Sequence, residues 1–184
     1  MADKAGLRQE IRRRERALSP AERLRSDEAL CRRFLAHPRV GEAGAILLFA
    51  GMGMEVDTRP LLDALEGQGK LLCLPRCLPG GGMEARRYDR RRLVRHRYGM
   101  LEPDEQCPVV DKSELGLILV PALCYDRRCF RLGRGGGYYD RYLADYTGFT
   151  LGLCRNILLQ EAVPVERWDR GVNVVLTETE QFGR

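Results

Sequence analysis

The sequence predicts an α/β fold, a three-layer α/β/α sandwich on a mainly parallel sheet. An unbroken apolar run at residues 45–50, a plain strand at 115–120 and further buried-strand candidates at 149–154 and 172–177 are as expected of strands buried on both faces. Helical-period segments stand before and between them, and such alternation builds parallel sheets covered on both sides. Glycine-rich and polar loops follow the strands directly, where open α/β sheets bind their ligands.

Residues 3–17 read as the first helix, with Lys4, Arg8, Arg12 and Glu15 three or four apart and only Leu7, Ile11 and Leu18 as an apolar stripe. So thin a stripe places the helix at an edge, its charges either solvated or reaching a ligand. Ser19-Pro20-Ala21-Glu22 combines a serine N-cap, a proline at the first helical position and a capping-box glutamate. The helix it starts runs to about residue 36 with Leu24, Cys31, Phe34 and Leu35 inward, and Pro38 marks its end.

After the strand at 45–50, the loop 51–58 lies at its carboxyl end. There Glu55 is a candidate contact for a polar ligand group, while Asp57 or Thr58 caps a helix over 59–65. A strand at 70–75 is ended by Pro75 and by the flexible turn Pro79-Gly80-Gly81-Gly82. Residues 83–88 form a further strand. Arg90, Arg91, Arg92, Arg95 and Arg97 then make a basic segment, read as a mobile solvated excursion, a recruiter of acidic ligands or a nucleic-acid face. Residues 115–120 are the plainest strand, and residues 158–163 make a short amphipathic turn or helix between the last two. No repeat or hinge divides the chain, so residues 1–184 are expected to form one domain.

The stretch 131–141, Arg-Leu-Gly-Arg-Gly-Gly-Gly-Tyr-Tyr-Asp-Arg, carries the densest local chemistry. Gly135, Gly136 and Gly137 permit positive φ and close backbone approach. Tyr139, Tyr142, Leu143 and Tyr146 at helical spacing predict a helix over 138–146, which sets the glycines at an N-terminus that favours an anion. Arg131, Arg134 and Arg141 add guanidinium groups able to grip phosphate, and Asp140 complements the dipole or, beside a polyphosphate, ligates Mg²⁺. A plain glycine-rich turn is the alternative; the arginines and the aspartate favour a phosphate cradle. The run matches neither a Walker A loop nor the dinucleotide fingerprint.

Composition limits the chemistry further. The net charge of +5 arises in residues 1–40, where eleven Lys/Arg face six Asp/Glu, and suits an acidic ligand. No apolar run approaches the ~20 residues of a membrane span, and the charged N-terminus lacks the apolar stretch of a secretory signal. The expected location is the cytoplasm, with a mitochondrial address left open by the arginine-rich start. Seven cysteines, an odd number, point to reduced thiols. The pairs Cys73/Cys77 and Cys124/Cys129 lack knuckle spacing and a nearby histidine, which argues against structural zinc. His37 and His96 read as surface residues, so a Cys/His or Ser/His/Asp nucleophile has no support.

Residues 119–141 closely resemble the signature of the 5-formyltetrahydrofolate cyclo-ligase (5,10-methenyltetrahydrofolate synthetase) family. Further pieces match in order and spacing: Lys4-x-x-x-Arg8, Glu55-Val56-Asp57-Thr58, Lys70 with Leu74-Pro75, Leu101-Glu102-Pro103, and Asp169-x-x-Val172-Asn173-Val174-Val175-Leu176-Thr177-Glu178. The resemblance covers nearly the whole chain. It implies an ATP- and Mg²⁺-dependent cyclisation of 5-formyltetrahydrofolate to 5,10-methenyltetrahydrofolate through an N5-iminium phosphate, with ADP and phosphate released. It also implies binding of MgATP and of the folate, with or without a polyglutamate tail; the chain is expected to act as a monomer with neither nucleic acid nor membrane as partner.

Residue roles follow from the same resemblance. Lys4, Arg8, Arg131, Gly133, Arg134, Gly135, Gly136, Gly137, Tyr138, Tyr139 and Asp140 are implied to bind ATP, with Arg131, Arg134 and Tyr139 catalytic. Glu55, Met54, Arg134, Gly135, Gly136, Gly137 and Tyr138 are implied to receive the folate, and Asp140 and Asp169 the metal. Three positions depart from the family pattern. Asn173 stands where Asp is frequent, which weakens any role beside the metal. Cys129 replaces a usual glycine and questions that turn's geometry, and Gly136 stands where some members carry lysine.

Overall fold

The computed structural model describes residues 3–97 and 99–184. Helix α1 (Lys4–Ala17) starts at Asp3, whose side chain accepts from the Gly6 N–H, and buries only Leu7, Ile11 and Glu15. Helix α2 (Pro20–Ala36) has the expected capping box and buries Ser26, Leu30, Cys31 and Phe34. Leu24, expected inward, is exposed: burial begins only at Ser26, so the first turn of α2 lies outside the core. Pro38 both stops α2 and opens the short α3 (Pro38–Glu42).

The chain continues through β1 (Ala45–Leu47), α4 (Arg59–Glu66), β2 (Leu71–Cys77), β3 (Met83–Arg87), β4 (Leu93–Arg95), β5 (Leu101–Pro103) and β6 (Val109–Val110). Then come β7 (Leu117–Val120), β8 (Cys124–Tyr125), β9 (Arg131–Leu132), α5 (Tyr138–Tyr142), β10 (Phe149–Leu153), β11 (Val174–Leu176) and β12 (Gln181–Gly183). The main sheet has the order β12-β11-β10-β7-β1-β2-β3-β6. Its five central strands are parallel, and β12, β3 and β6 are antiparallel additions at the edges.

Strand alternation sends successive side chains to opposite faces. Ile46, Leu72 and Leu117 pack with Leu30 and Phe34 of α2, Val40 of α3 and Leu61 of α4. Leu47, Cys73 and Ile118 pack with Leu7 and Ile11 of α1 and Tyr142 of α5. Helices therefore cover both faces, the predicted three layers. From β1 the chain builds outward to β2, then returns to place β7 on the other side of β1. The strand order reverses there, and ligands of open sheets bind outside the carboxyl ends at such a point.

Several local expectations are corrected. Strand β2 runs through Pro75, which pairs with Ala85. The last bond from β1 is Leu48 N–H to Cys73 C=O, so the N–H that Pro75 lacks falls on a side already unpaired. The turn at Pro79–Gly81, expected to be flexible, is tied to α5 by Arg141, which donates to the Gly81 carbonyl at 2.6 Å. The arginine-rich segment is not an excursion but a hairpin, β4 against β5. In it Arg90 pairs with Asp63 and Arg92 bonds to Gln106, so these charges are engaged rather than offered as a basic stripe. Helix α5 stops at Tyr142, since the chain must turn to enter β10. No helix among the described residues is long and apolar enough to cross a membrane.

Candidate active site

A cleft of about 1430 Å³ opens at the carboxyl ends of β1, β2 and β7. Its floor is the glycine run. Gly135 has φ 107° and Gly137 φ 66°, both in the left-handed region, whereas Gly136 does not need positive φ. A Cβ on Gly136 would come within 2.9 Å of the Tyr138 ring, so a side chain at this position would have to displace that ring.

The hairpin β8–β9 delivers Arg131 to this floor. Its turn is organised by Asp126, fully buried, which accepts from the backbone N–H groups of Arg128, Phe130 and Val163 at 2.9–3.0 Å. Cys129 sits in that turn at φ 65°, the left-handed geometry natural to glycine, so the substitution keeps the turn and carries backbone strain. Arg131 is buried and donates to Asp140 at 2.6 Å and to the Arg170 carbonyl.

Helix α1 closes the cleft from above. Lys4 Nζ reaches Asp169 at 2.6 Å and Glu166 at 3.0 Å, and Arg8 Nε donates to the Gly133 carbonyl at 2.9 Å. Partial burial opposes the charge on Lys4, but these two carboxylates outweigh it and hold the ammonium pKa above its ordinary value. Across the cleft Arg134 pairs with Glu55 at 2.8 Å, and Glu55 also fixes its own loop through the Met52 N–H.

Lys4, Arg8, Glu55, Arg131, Gly133, Arg134, Gly135, Gly136, Gly137, Tyr138, Tyr139, Asp140 and Asp169 thus line one cavity, although 165 positions separate Lys4 from Asp169. Met54 does not: Met52 lines the cleft, while the Met54 thioether meets Arg23 and its carbonyl meets Arg155. Arg141 lines the cleft but spends its guanidinium on the Gly81 and Gly136 carbonyls, bracing two turns. Asn173 lies elsewhere, joining β10 to β11 through Thr150. Thr58 makes no cap; buried, it bonds the Phe49 carbonyl and the Gly51 N–H, while Asp57 accepts from the Arg59 N–H at 3.1 Å.

The model of the 5-formyltetrahydrofolate cyclo-ligase family matches residues 1–178. The chain belongs to that family. The 5-formyltetrahydrofolate cyclo-ligase of Escherichia coli K12 is 31% identical over 174 residues, covering 91% of this chain and 96% of its own. That of Mus musculus is 31% identical, with coverage of 95% and 93%. Among solved structures, the Aquifex aeolicus 5,10-methenyltetrahydrofolate synthetase superposes with a TM-score of 0.87 at 29% identity, over 98% of this chain and 92% of its own.

The cleft of this cyclo-ligase family member also holds features that sequence reading missed. The Tyr139 hydroxyl is buried with no hydrogen-bond partner among the described residues, and burial raises its pKa. Outside the cleft lining, Glu15 on α1 is buried, and burial raises its carboxyl pKa against the weaker opposing pull of Arg134. Cys77 is pushed up to about 12 by burial and then by its bond with Glu102, so it is no thiolate nucleophile. His96, read as a surface residue, lies close to both. A polar residue at helical spacing and a half-buried thiol carry no signal in the sequence that would reveal these neighbours.

Proposed function

We propose that this chain cyclises 5-formyltetrahydrofolate to 5,10-methenyltetrahydrofolate with ATP as co-substrate, releasing ADP and phosphate. The observation that carries the reading is the glycine floor ringed by Lys4, Arg8, Arg131 and Arg134 in one cleft. Phosphoryl transfer asks chiefly for positioning and charge stabilisation, and this site supplies both.

In the proposed reaction the formyl oxygen attacks the γ-phosphorus, an O–P bond forms and the bond to ADP breaks. N10 then adds to the N5-iminium carbon, the C–O bond breaks, phosphate leaves, and the N10 proton passes to solvent. Arg131 and Arg134, with the backbone N–H groups of residues 135–139, would steady the transferring oxygens. Tyr139 would donate its unpaired hydroxyl to an oxygen of the reacting groups. Glu55 would present a polar edge of the folate once Arg134 turns to phosphate.

Six basic and six acidic side chains line the cleft, so it offers a bare polyphosphate little net attraction. The carboxylates of Asp140 and Asp169 make sense if a cation accompanies the nucleotide. Their hydrogen bonds fall on Oδ1 of Asp140 and Oδ2 of Asp169, leaving the second oxygen of each for Mg²⁺, a hard ion normally held by one or two carboxylates plus phosphate. Bound there, Mg²⁺ would neutralise charge on the phosphate oxygens. The proposal takes residues 1–184 as one catalytic domain acting as a cytoplasmic monomer.

Mixing the protein with 5-formyltetrahydrofolate and MgATP should give the methenyl product, followed by its near-ultraviolet absorbance. A folded protein giving no product sinks the reading. Asp140→Asn is the informative variant, because Asp140→Ala would strand the buried Arg131 charge and destabilise by roughly 3 kcal/mol or more. We expect Asp140→Asn to fold and to lose about 100-fold in turnover, partly restored by added Mg²⁺; a wild-type rate would refute the metal assignment.

A further inference from the structure

We propose that Cys77, His96 and Glu102 form a separate cation site in the wall of the cleft, one that takes a borderline divalent ion of the Zn²⁺ class. The three side chains each offer one ligand atom, and these atoms all lie within 4.8 Å of one another. They are the one such group of three or more among the described residues. A tetrahedral ion with bonds of ~2.0–2.3 Å brings ligand atoms to about 3.3–3.8 Å, so closure needs side-chain movement of about 1 Å and no rearrangement of strands.

The backbone presets the group. Cys77 is the last residue of β2, His96 follows β4, and Glu102 is the middle residue of β5, in register with Val94. The Cys77 N–H donates to Glu102 Oε1 at 3.1 Å, and Arg76 donates to the Pro103 carbonyl at 2.7 Å, fastening β2 to β5. The His96 N–H donates to the Met100 carbonyl at 2.9 Å, which fixes the hairpin. Glu102 is 4% exposed, so its charge gains from a cation neighbour.

Donor chemistry selects the ion. Sulfur, imidazole nitrogen and one carboxylate oxygen suit Zn²⁺ or Co²⁺ and not Mg²⁺, which asks for oxygen alone. Binding exchanges the thiol proton, released to solvent, for the ion. Cys77 is the one half-buried thiol; the other six are buried. Cys77 and Glu102 line the cleft, so the fourth coordination position is open to water or to a ligand group held there.

The test uses the full-length reduced protein, stripped with chelator and titrated with Co²⁺. We expect a near-ultraviolet thiolate-to-cobalt absorption that saturates at one ion per chain, is displaced by Zn²⁺ and survives a large excess of Mg²⁺. Cys77→Ser should abolish the band while far-ultraviolet circular dichroism stays unchanged. His96→Ala should weaken binding at least about a hundredfold, given the affinity each ligand of a zinc site carries. No band in the wild type, a band that persists in Cys77→Ser, or unchanged affinity in His96→Ala would each overturn the proposal. Turnover is not needed for the readout, so the outcome is independent of the proposed folate reaction.

Discussion

Tyr139 keeps a buried hydroxyl with no partner among the described residues, a state that a folded chain has no structural reason to retain. Replacing an unpaired buried polar group by an apolar one of the same shape is close to neutral or stabilising. Tyr139→Phe should therefore leave thermal stability level or slightly higher, while methenyl formation falls at least about tenfold, the value of one hydrogen bond made to the reacting groups. A variant that loses stability and keeps its rate would reverse the assignment, making the hydroxyl structural. Lys4 and Arg8 illustrate what a sequence reveals at this scale. Their types and spacing were visible, but only the fold shows that one grips Asp169 and the other the Gly133 carbonyl.

At the scale of elements, apolar runs and caps located the strands and helices well, because burial on both faces and capping chemistry are written in adjacent residues. What was less legible depended on pairing between distant segments. Pro75 reads as a strand end until the early stop of β1 shows that its missing N–H has no partner to lose. Five arginines read as a solvated run until Asp63, Gln106 and Asp104 are brought beside two of them. Thr58 belongs to the same class: it reads as a cap, yet it locks the loop after β1 by bonding Phe49 and Gly51 across it. Gly51 shares that lock, since a Cβ there would lie 2.1 Å from the Val56 carbonyl oxygen. Thr58→Val keeps the shape and removes both bonds, leaving two backbone groups unsatisfied. We expect a loss of about 2 kcal/mol in urea unfolding, and a raised KM for the folate because Glu55 rides on this loop. Thr58→Ser should restore both; if Thr58→Val unfolds like the wild type, the lock is not what holds the loop.

Across the whole molecule the cleft is closed by the two ends of the sequence. The start of α1 meets the loop before β11 through Lys4 with Asp169 and Glu166, while the sheet supplies the floor between them. The Lys4–Asp169 pair is partly exposed, with side chains 21% and 14% accessible, so by itself it contributes about 1 kcal/mol or less. Its larger consequence is organisational: it holds in one place the ammonium proposed to bind phosphate and the carboxylate proposed to bind the metal. Residues that act as a unit couple, and a double-mutant cycle measures that coupling. Wild type, Lys4→Ala, Asp169→Asn and the double variant should therefore be melted with and without a saturating non-hydrolysable MgATP analogue. A ligand at 100 times its Kd raises stability by about 2.7 kcal/mol, and we expect each single variant to forfeit most of that gain. The double variant should lose little more than either single one, giving a coupling energy of at least ~1 kcal/mol. Strictly additive losses would mean that the helix and the loop bind the nucleotide independently, and that the contact between the chain's two ends serves the fold alone.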